Sequence, residues 1–135
     1  MMGTRSIVLD SHAVMIYLQR EKGFQRIIQI LKEAEKGQTK IFLNLINWGE
    51  IYYATYRSHG EKAAEETLLL IEELPITLVT SDRALIYLAA RFKSQHAIAY
   101  GDCFAAAMAQ REKCPVLTGD KEFKKLEGQI LISWI

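Results

Sequence analysis

The sequence predicts an α/β fold, a parallel sheet with helices on both faces. Three observations carry this. Short runs of β-branched and large aliphatic residues alternate with longer stretches whose apolar positions recur at three- and four-residue steps. The leading short run, Ile7-Val8-Leu9, is apolar throughout, the mark of a strand buried on both faces. And this run and Val116-Leu117-Thr118 both end at a carboxylate, Asp10 and Asp120. Ligands of open α/β sheets sit beyond the carboxyl ends of strands.

Composition narrows the class. A chain of 135 residues, 50% hydrophobic and 24% charged, is expected to form one globular domain over 1–135. No apolar run approaches the roughly 18 residues of a membrane span. Met1 to Ser11 has no apolar core of the kind signal peptides carry, so a cytoplasmic location is expected. A net charge of +1 gives no global basic footprint, so nucleic acid would have to meet a local patch. Cys103 and Cys114, on one helix, would stand ~16 Å apart, beyond the ~7 Å a disulfide allows; both are expected to be buried thiols. There are 16 acidic residues, of which only Asp10, Asp82, Asp102 and Asp120 are aspartates. Glutamate is the better helix former, so the few aspartates mark caps, turns or sites.

Taken in order, Arg5 to Ser11 gives the first strand and its acidic end. Ala13–Leu18 follows as a short helix, broken at Glu21-Lys22-Gly23. A second helix runs from Phe24 to Lys36, stopped by Gly37. Ile41–Leu43 is the second strand, and Asn44 or Asn47 caps a helix to about Ser58. Leu45, Trp48, Tyr52 and Tyr56 make an aromatic stripe on it, read as core or interface. Asn47, Glu50, Ala54 and Arg57 occupy another face, and Glu50 is close enough to the strand end to reach the crevice of Asp10. Glu61–Glu73 completes a helical hairpin, with Ala64, Leu68, Leu69 and Ile71 facing inward.

Ile76–Thr80 is a third strand after Pro75. Asp82 caps a helix over Arg83–Lys93, packed through Ala84, Leu85, Leu88, Ala89 and Phe92. The small-residue stretch from Ala97 to Ala109 is a helix suited to close packing. Asp102 lies in its first turn, where the helix dipole favours an anion. Cys114 to Asp120 is the fourth strand, Lys121–Leu126 a short basic turn or helix, and Ile130–Ile132 the last strand. His12 is read as a capping or packing residue.

Asp10 and Asp120 end strands, and Glu50 and Asp102 lie in the opening turns of helices, so all four can converge at the carboxyl edge. Four carboxylates repel one another in a small cavity unless a hard divalent cation sits among them. With no Cys/His ligand set, Mg²⁺ or Mn²⁺ fits this donor set better than zinc. Such ions activate water and neutralise charge on a phosphodiester. Lys121, Lys124, Lys125, Arg57 or Arg83 could hold phosphates beside the acidic centre, and Lys121, Lys124 and Arg57 are taken forward as candidates.

Four segments in order carry a family resemblance: Ile7–Ser11, Asn44–Tyr53, Ala99–Ala109 and Val116–Phe123. The chain resembles the PIN-domain nucleases, and among them the VapC-like toxins of type II toxin–antitoxin systems. It departs mildly at Gly101-Asp102-Cys103, where relatives more often carry Ala-Asp-Ala. The resemblance implies a three-layer α/β/α fold around the parallel sheet. It implies a catalytic metal site of Asp10, Glu50, Asp102 and Asp120, with the Thr118 and Ser11 hydroxyls close by. It also implies single-stranded RNA as substrate, a metal-activated water as nucleophile, a homodimer built through the helical hairpin, and an antitoxin partner. The competing readings are a PIN-type RNA-processing nuclease that is not a toxin, and a catalytically idle binding module. A dehalogenase-like phosphatase would carry a second aspartate where His12 stands. A receiver domain would need an aspartate ending the third strand, which Thr80-Ser81-Asp82 meets only loosely.

Overall fold

Five strands, β1 (Arg5–Leu9), β2 (Thr39–Asn44), β3 (Thr77–Val79), β4 (Val116–Thr118) and β5 (Ile132–Trp134), form one parallel sheet in the order β3-β2-β1-β4-β5. The structure is a computed structural model and describes residues 4–135; Met1–Gly3, part of the segment read above as lacking a leader, lie outside the described residues. Register explains the layering. Val8 pairs with Phe42 on one side and Val116 on the other, and these three side chains face one helical layer. Ile7, Leu9, Ile41, Leu43 and Leu117 point to the opposite face. Both faces are covered, so strand periodicity disappears into the continuous apolar runs noted above.

The first layer holds α5 (Arg83–Gln95), α6 (Tyr100–Glu112) and a 3-10 helix (Lys121–Leu126). The second holds α1 (Ser11–Gln19), α2 (Phe24–Glu35), α3 (Leu45–His59) and α4 (Glu61–Glu73). The fold is therefore the three-layer α/β/α arrangement around a parallel sheet. Every residue of α6 from Gly101 to Ala109 is buried. Its small side chains let the helix lie close to its neighbours on all sides. Among the described residues, no helix is long and apolar enough to cross a membrane. Cys103 and Cys114 are free, buried thiols, and burial pushes both up to about 11.

Three expectations need correction. The last strand is Ile132–Trp134, not Ile130–Ile132: Ile130 instead forms a bridge with Glu127, and β5 takes its register from β4 through Ile132–Val116 and Trp134–Thr118 pairs. As an edge strand with an exposed Trp134 it lacks a continuous apolar run. Leu69 is 66% exposed, because α4 rests on its neighbours through the narrow stripe of Ala64 and Ile71. Ala84 is exposed as well, leaving Leu85, Ala89 and Phe92 as the buried residues of α5.

Asp82 is a cap. Its Oδ1 accepts the Leu85 N–H at 2.8 Å, and Arg111 forms an exposed ion pair with it at 3.3 Å. Exposed pairs contribute little, so the cap dominates. Asp82→Ala is expected to lose about 0.5–2 kcal/mol in urea unfolding, and Asp82→Asn, which keeps the cap, much less. Equal losses in the two variants would assign the stability to the ion pair instead.

Candidate functional site

Strand order reverses at β1: β2 and β3 lie on one side of it, β4 and β5 on the other. The crevice beyond β1 and β4 is thus the topological switch point, where helices leave to opposite faces and a ligand has room. Asp10 stands here with 0% of its surface exposed. Its Oδ1 accepts the Ala13 N–H at 2.8 Å, capping α1. Its Oδ2 accepts the Thr118 hydroxyl at 2.5 Å, across to the end of β4. Thr118 Oγ1 in turn accepts the Asp120 N–H at 2.9 Å. One hydroxyl thus fixes Asp10 and sets the path of the chain into Asp120, which caps the 3-10 helix through Glu122 N–H. Asp10 serves both as a helix cap and as the buried end of the central strand.

Asp102 lies in the first turn of α6 and is 8% exposed. Glu50 lies in the second turn of α3, whose start is fixed by Asn44: its Oδ1 accepts the Ile46 N–H at 2.8 Å and the Ser81 hydroxyl at 3.0 Å. The Glu50 carboxylate meets the start of α6. The Asn47 amide donates to Glu50 Oε1 at 2.8 Å and to the Gly101 carbonyl at 3.0 Å.

Electrostatics tie the four acids together. Burial pushes Asp102 up from 3.8 to about 7, and the charges of Asp120, Asp10 and Glu50 push the same way, with Glu122 behind them. Burial pushes Asp10 up to about 6; the Thr118 and Ala13 hydrogen bonds and the nearby His12 oppose this, and Asp120 adds to it. None of the four forms an ion pair among the described residues; the ion pairs there belong to Glu66, Asp82, Glu112 and Glu122. An oxygen-only donor set in which Asp10 and Asp102 are held above the usual carboxylate range, and in which no acid has an ion-pair partner among the described residues, has the chemistry that suits a hard divalent cation. As the side chains stand, no three His, Cys, Asp or Glu among the described residues form a ready metal-holding group. A cavity of about 590 Å³ at the opposite, amino edge of the sheet, between Arg5, Arg26, Glu33 and Lys113, holds none of the four acids.

The remaining candidates are spread around this centre. Ser11 opens α1 beside Asp10 and is half-buried. Lys121 and Lys124 are exposed on the 3-10 helix that Asp120 begins. Lys125 is engaged by Glu122 at 2.7 Å and by the Ala97 carbonyl at 2.8 Å. Arg57 is farther off, about 10 Å along α3 from Glu50, with its guanidinium 5.0 Å from the Tyr53 ring centre. Sequence reasoning missed the role of Asn47, treated as an alternative cap, and set His12 aside. The His12 ring lies over Gly119, such that a Cβ there would meet its Cε1 at 2.9 Å. An asparagine three residues before a helical glutamate was the available signal for Asn47.

The comparisons agree with this architecture. The sequence matches the PIN domain family model over residues 7–129. No curated protein sequence matches the chain significantly. The fold is similar to a chain of the Rickettsia felis VapBC2 structure solved on a promoter DNA fragment (TM-score 0.76, 12% identity, 96% of this chain and 98% of that one). It is similar to a chain of DNA-bound VapBC from Salmonella typhimurium (TM-score 0.72, 15% identity, 97% and 98%). It is similar also to Mycobacterium tuberculosis VapC20, a Sarcin-Ricin loop cleaving toxin (TM-score 0.71, 11% identity, 90% and 95%).

The raised carboxyls set a pH dependence. An aspartate that titrates at 3.8 in the open chain holds its proton to about 6 at Asp10 and about 7 at Asp102. Between these values the fold binds more protons than the unfolded chain, so stability falls as pH rises through the window and levels off above it. Thermal melts in EDTA are expected to show this fall, and Asp102→Asn, which cannot ionise, to flatten it. A fall of undiminished size in Asp102→Asn would place the effect elsewhere.

Proposed function

The chain belongs to the PIN-domain family, and from that membership we propose that it is a single-domain, Mg²⁺- or Mn²⁺-dependent endoribonuclease that cleaves single-stranded regions of RNA. We further propose that it is the toxin of a type II toxin–antitoxin pair, acting in the cytoplasm. The observation that supports the nuclease reading is that Asp102, at the start of α6, lies within electrostatic reach of Asp120, Asp10 and Glu50, and that none of the four has an ion-pair partner among the described residues. The likeness to VapBC chains and to a Sarcin-Ricin loop cleaving VapC supports the toxin reading and the choice of RNA.

Asp10, Asp102 and Asp120 would hold the ion, with Glu50 completing the set from α3. A bound Mg²⁺ or Mn²⁺ supplies water activation and offsets charge on the phosphodiester and its leaving oxygen. The protein's own part is placement. Thr118 holds Asp10 in one orientation through its hydroxyl. The start of α6 holds Asp102 where its dipole favours an anion. Lys121 and Lys124 stand beside Asp120, exposed and suited to flanking phosphates. Arg57 would reach only phosphates farther along the strand.

The antitoxin and a second copy of the chain are proposed to share the crevice rim and the outer aromatic surface of α3. There Tyr56 is exposed and packs on Tyr52, with ring centres 6.0 Å apart. Large apolar residues left outside a small fold often mark interfaces.

RNA cleavage is expected to require Mg²⁺ or Mn²⁺, to stop in EDTA, and to be lost in Asp102→Asn while Asp82→Ala still cleaves. Cleavage by metal-stripped protein in chelator would overturn the metal reading. The purified chain is expected to elute as a dimer, and the product of the adjacent gene to bind it and block cleavage. A monomer at high concentration that this product does not inhibit would remove the toxin assignment while leaving the nuclease.

A further inference from the structure

Gly101 is not explained by its backbone. It is not among the residues with positive φ, it lies within the first turn of α6, and glycine weakens a helix relative to alanine. Its reason is space. The three heavy atoms nearest to a Cβ built on Gly101 are the Oε2, Cδ and Oε1 of Glu50, and all three would overlap it. The Glu50 carboxylate therefore occupies the volume that any other residue's Cβ would take. Asn47 closes this seat from α3. It is 0% exposed, its amide nitrogen bridges Glu50 Oε1 and the Gly101 carbonyl, and its buried Oδ1 has no hydrogen-bond partner among the described residues. An unpaired buried acceptor is destabilising, so an asparagine kept there implies that its donor is needed.

We propose that Gly101 and Asn47 are positioning residues for Glu50: a notch in α6 and an amide on α3 that together seat the carboxylate one residue from Asp102. The notch explains the glycine at a position where alanine would otherwise favour the helix. It also makes Glu50 the acid whose place depends on contact between two helices rather than on a strand end. Filling the notch expels the carboxylate from its seat. Removing the amide leaves it untethered. In both cases the crevice loses a fixed negative group and holds a divalent cation less well. The metal part of this inference rests on the acidic-crevice reading given above; the packing part does not.

The test is a mutant cycle on the intact protein with two readouts. In EDTA, Gly101→Ala is expected to gain clearly less Tm than helix propensity alone would give, because the Glu50 carboxylate must leave its seat and the Asn47 amide. In a Glu50→Ala background the same change is expected to raise it by a few degrees, because alanine then gains helix propensity with nothing in its way. In Mn²⁺ titrations, Gly101→Ala and Asn47→Ala are each expected to weaken binding on the order of 10-fold, as groups that orient a ligand do, and to add no loss to Glu50→Ala. A Tm shift of the same size in both backgrounds overturns the notch. Unchanged or tighter Mn²⁺ binding, or an equal further loss without Glu50, overturns its positioning role. Should Gly101→Ala not fold, that result followed by normal folding of the double variant Gly101→Ala/Glu50→Ala supports the notch, and failure of both overturns it; Asn47→Ala then carries the titration. Wild-type protein that binds no Mn²⁺ would defeat the crevice reading and with it the metal half of the inference, leaving the melts to judge the notch alone.

Discussion

A carboxylate with no exposed surface has to be answered from inside the protein, and Asp10 is such a group. No ion pair among the described residues answers it. Instead a backbone N–H from α1 and a hydroxyl from β4 converge on its two oxygens. Hydrogen bonds of this kind recover only part of the hydration a charge loses on burial, which is why Asp10 remains pushed up to about 6. Those two bonds have geometric consequences. They require α1 to begin at once after β1, and β4 to lie beside β1 in one register. Through Thr118 they also fix where Asp120 leaves the sheet. The position of the crevice follows from how one buried charge is accommodated.

The other acids complete an arrangement that no sequence selected for stability alone would keep. Asp102 is raised by burial and by three neighbouring site carboxylates, yet it sits in a helix whose residues from Gly101 to Ala109 are all buried. The core can carry this because its two apolar layers are otherwise continuous across the sheet. Destabilising groups concentrated at one edge of a well-packed scaffold are the usual sign of a site kept for chemistry.

Much of this could be read from the chain before its structure. Asp10 and Asp120 were legible because an apolar run that stops at an aspartate carries both the strand and its end. Asp82 was legible as a cap because Ser81-Asp82 precedes an apolar helical pattern. Glu50 was far less so: a glutamate on a helix is ordinarily solvated, and only the ordered family motifs singled it out. Gly101 could not have been read this way, and Asn47 only as far as its three-residue spacing from Glu50 goes, since the contact between them arises where α3 meets α6, 54 residues apart in sequence. A side chain's absence leaves no periodic trace. The displaced β5 and the exposed Leu69 fail for a related reason: strand register and the width of a helix contact are decided by the partner element, not by local pattern.

The hydrogen bond from Thr118 to Asp10 joins residues 108 positions apart. The central strand and its neighbour β4 are thus far apart in the chain, and parallel pairing over such a distance is slow to form. Until then Asp10 has neither its hydroxyl partner nor the acid beyond it. The crevice is therefore assembled by a long-range pairing and is complete only once the sheet itself is complete. A partly folded chain with β1 in place but β4 undocked would hold only half of it.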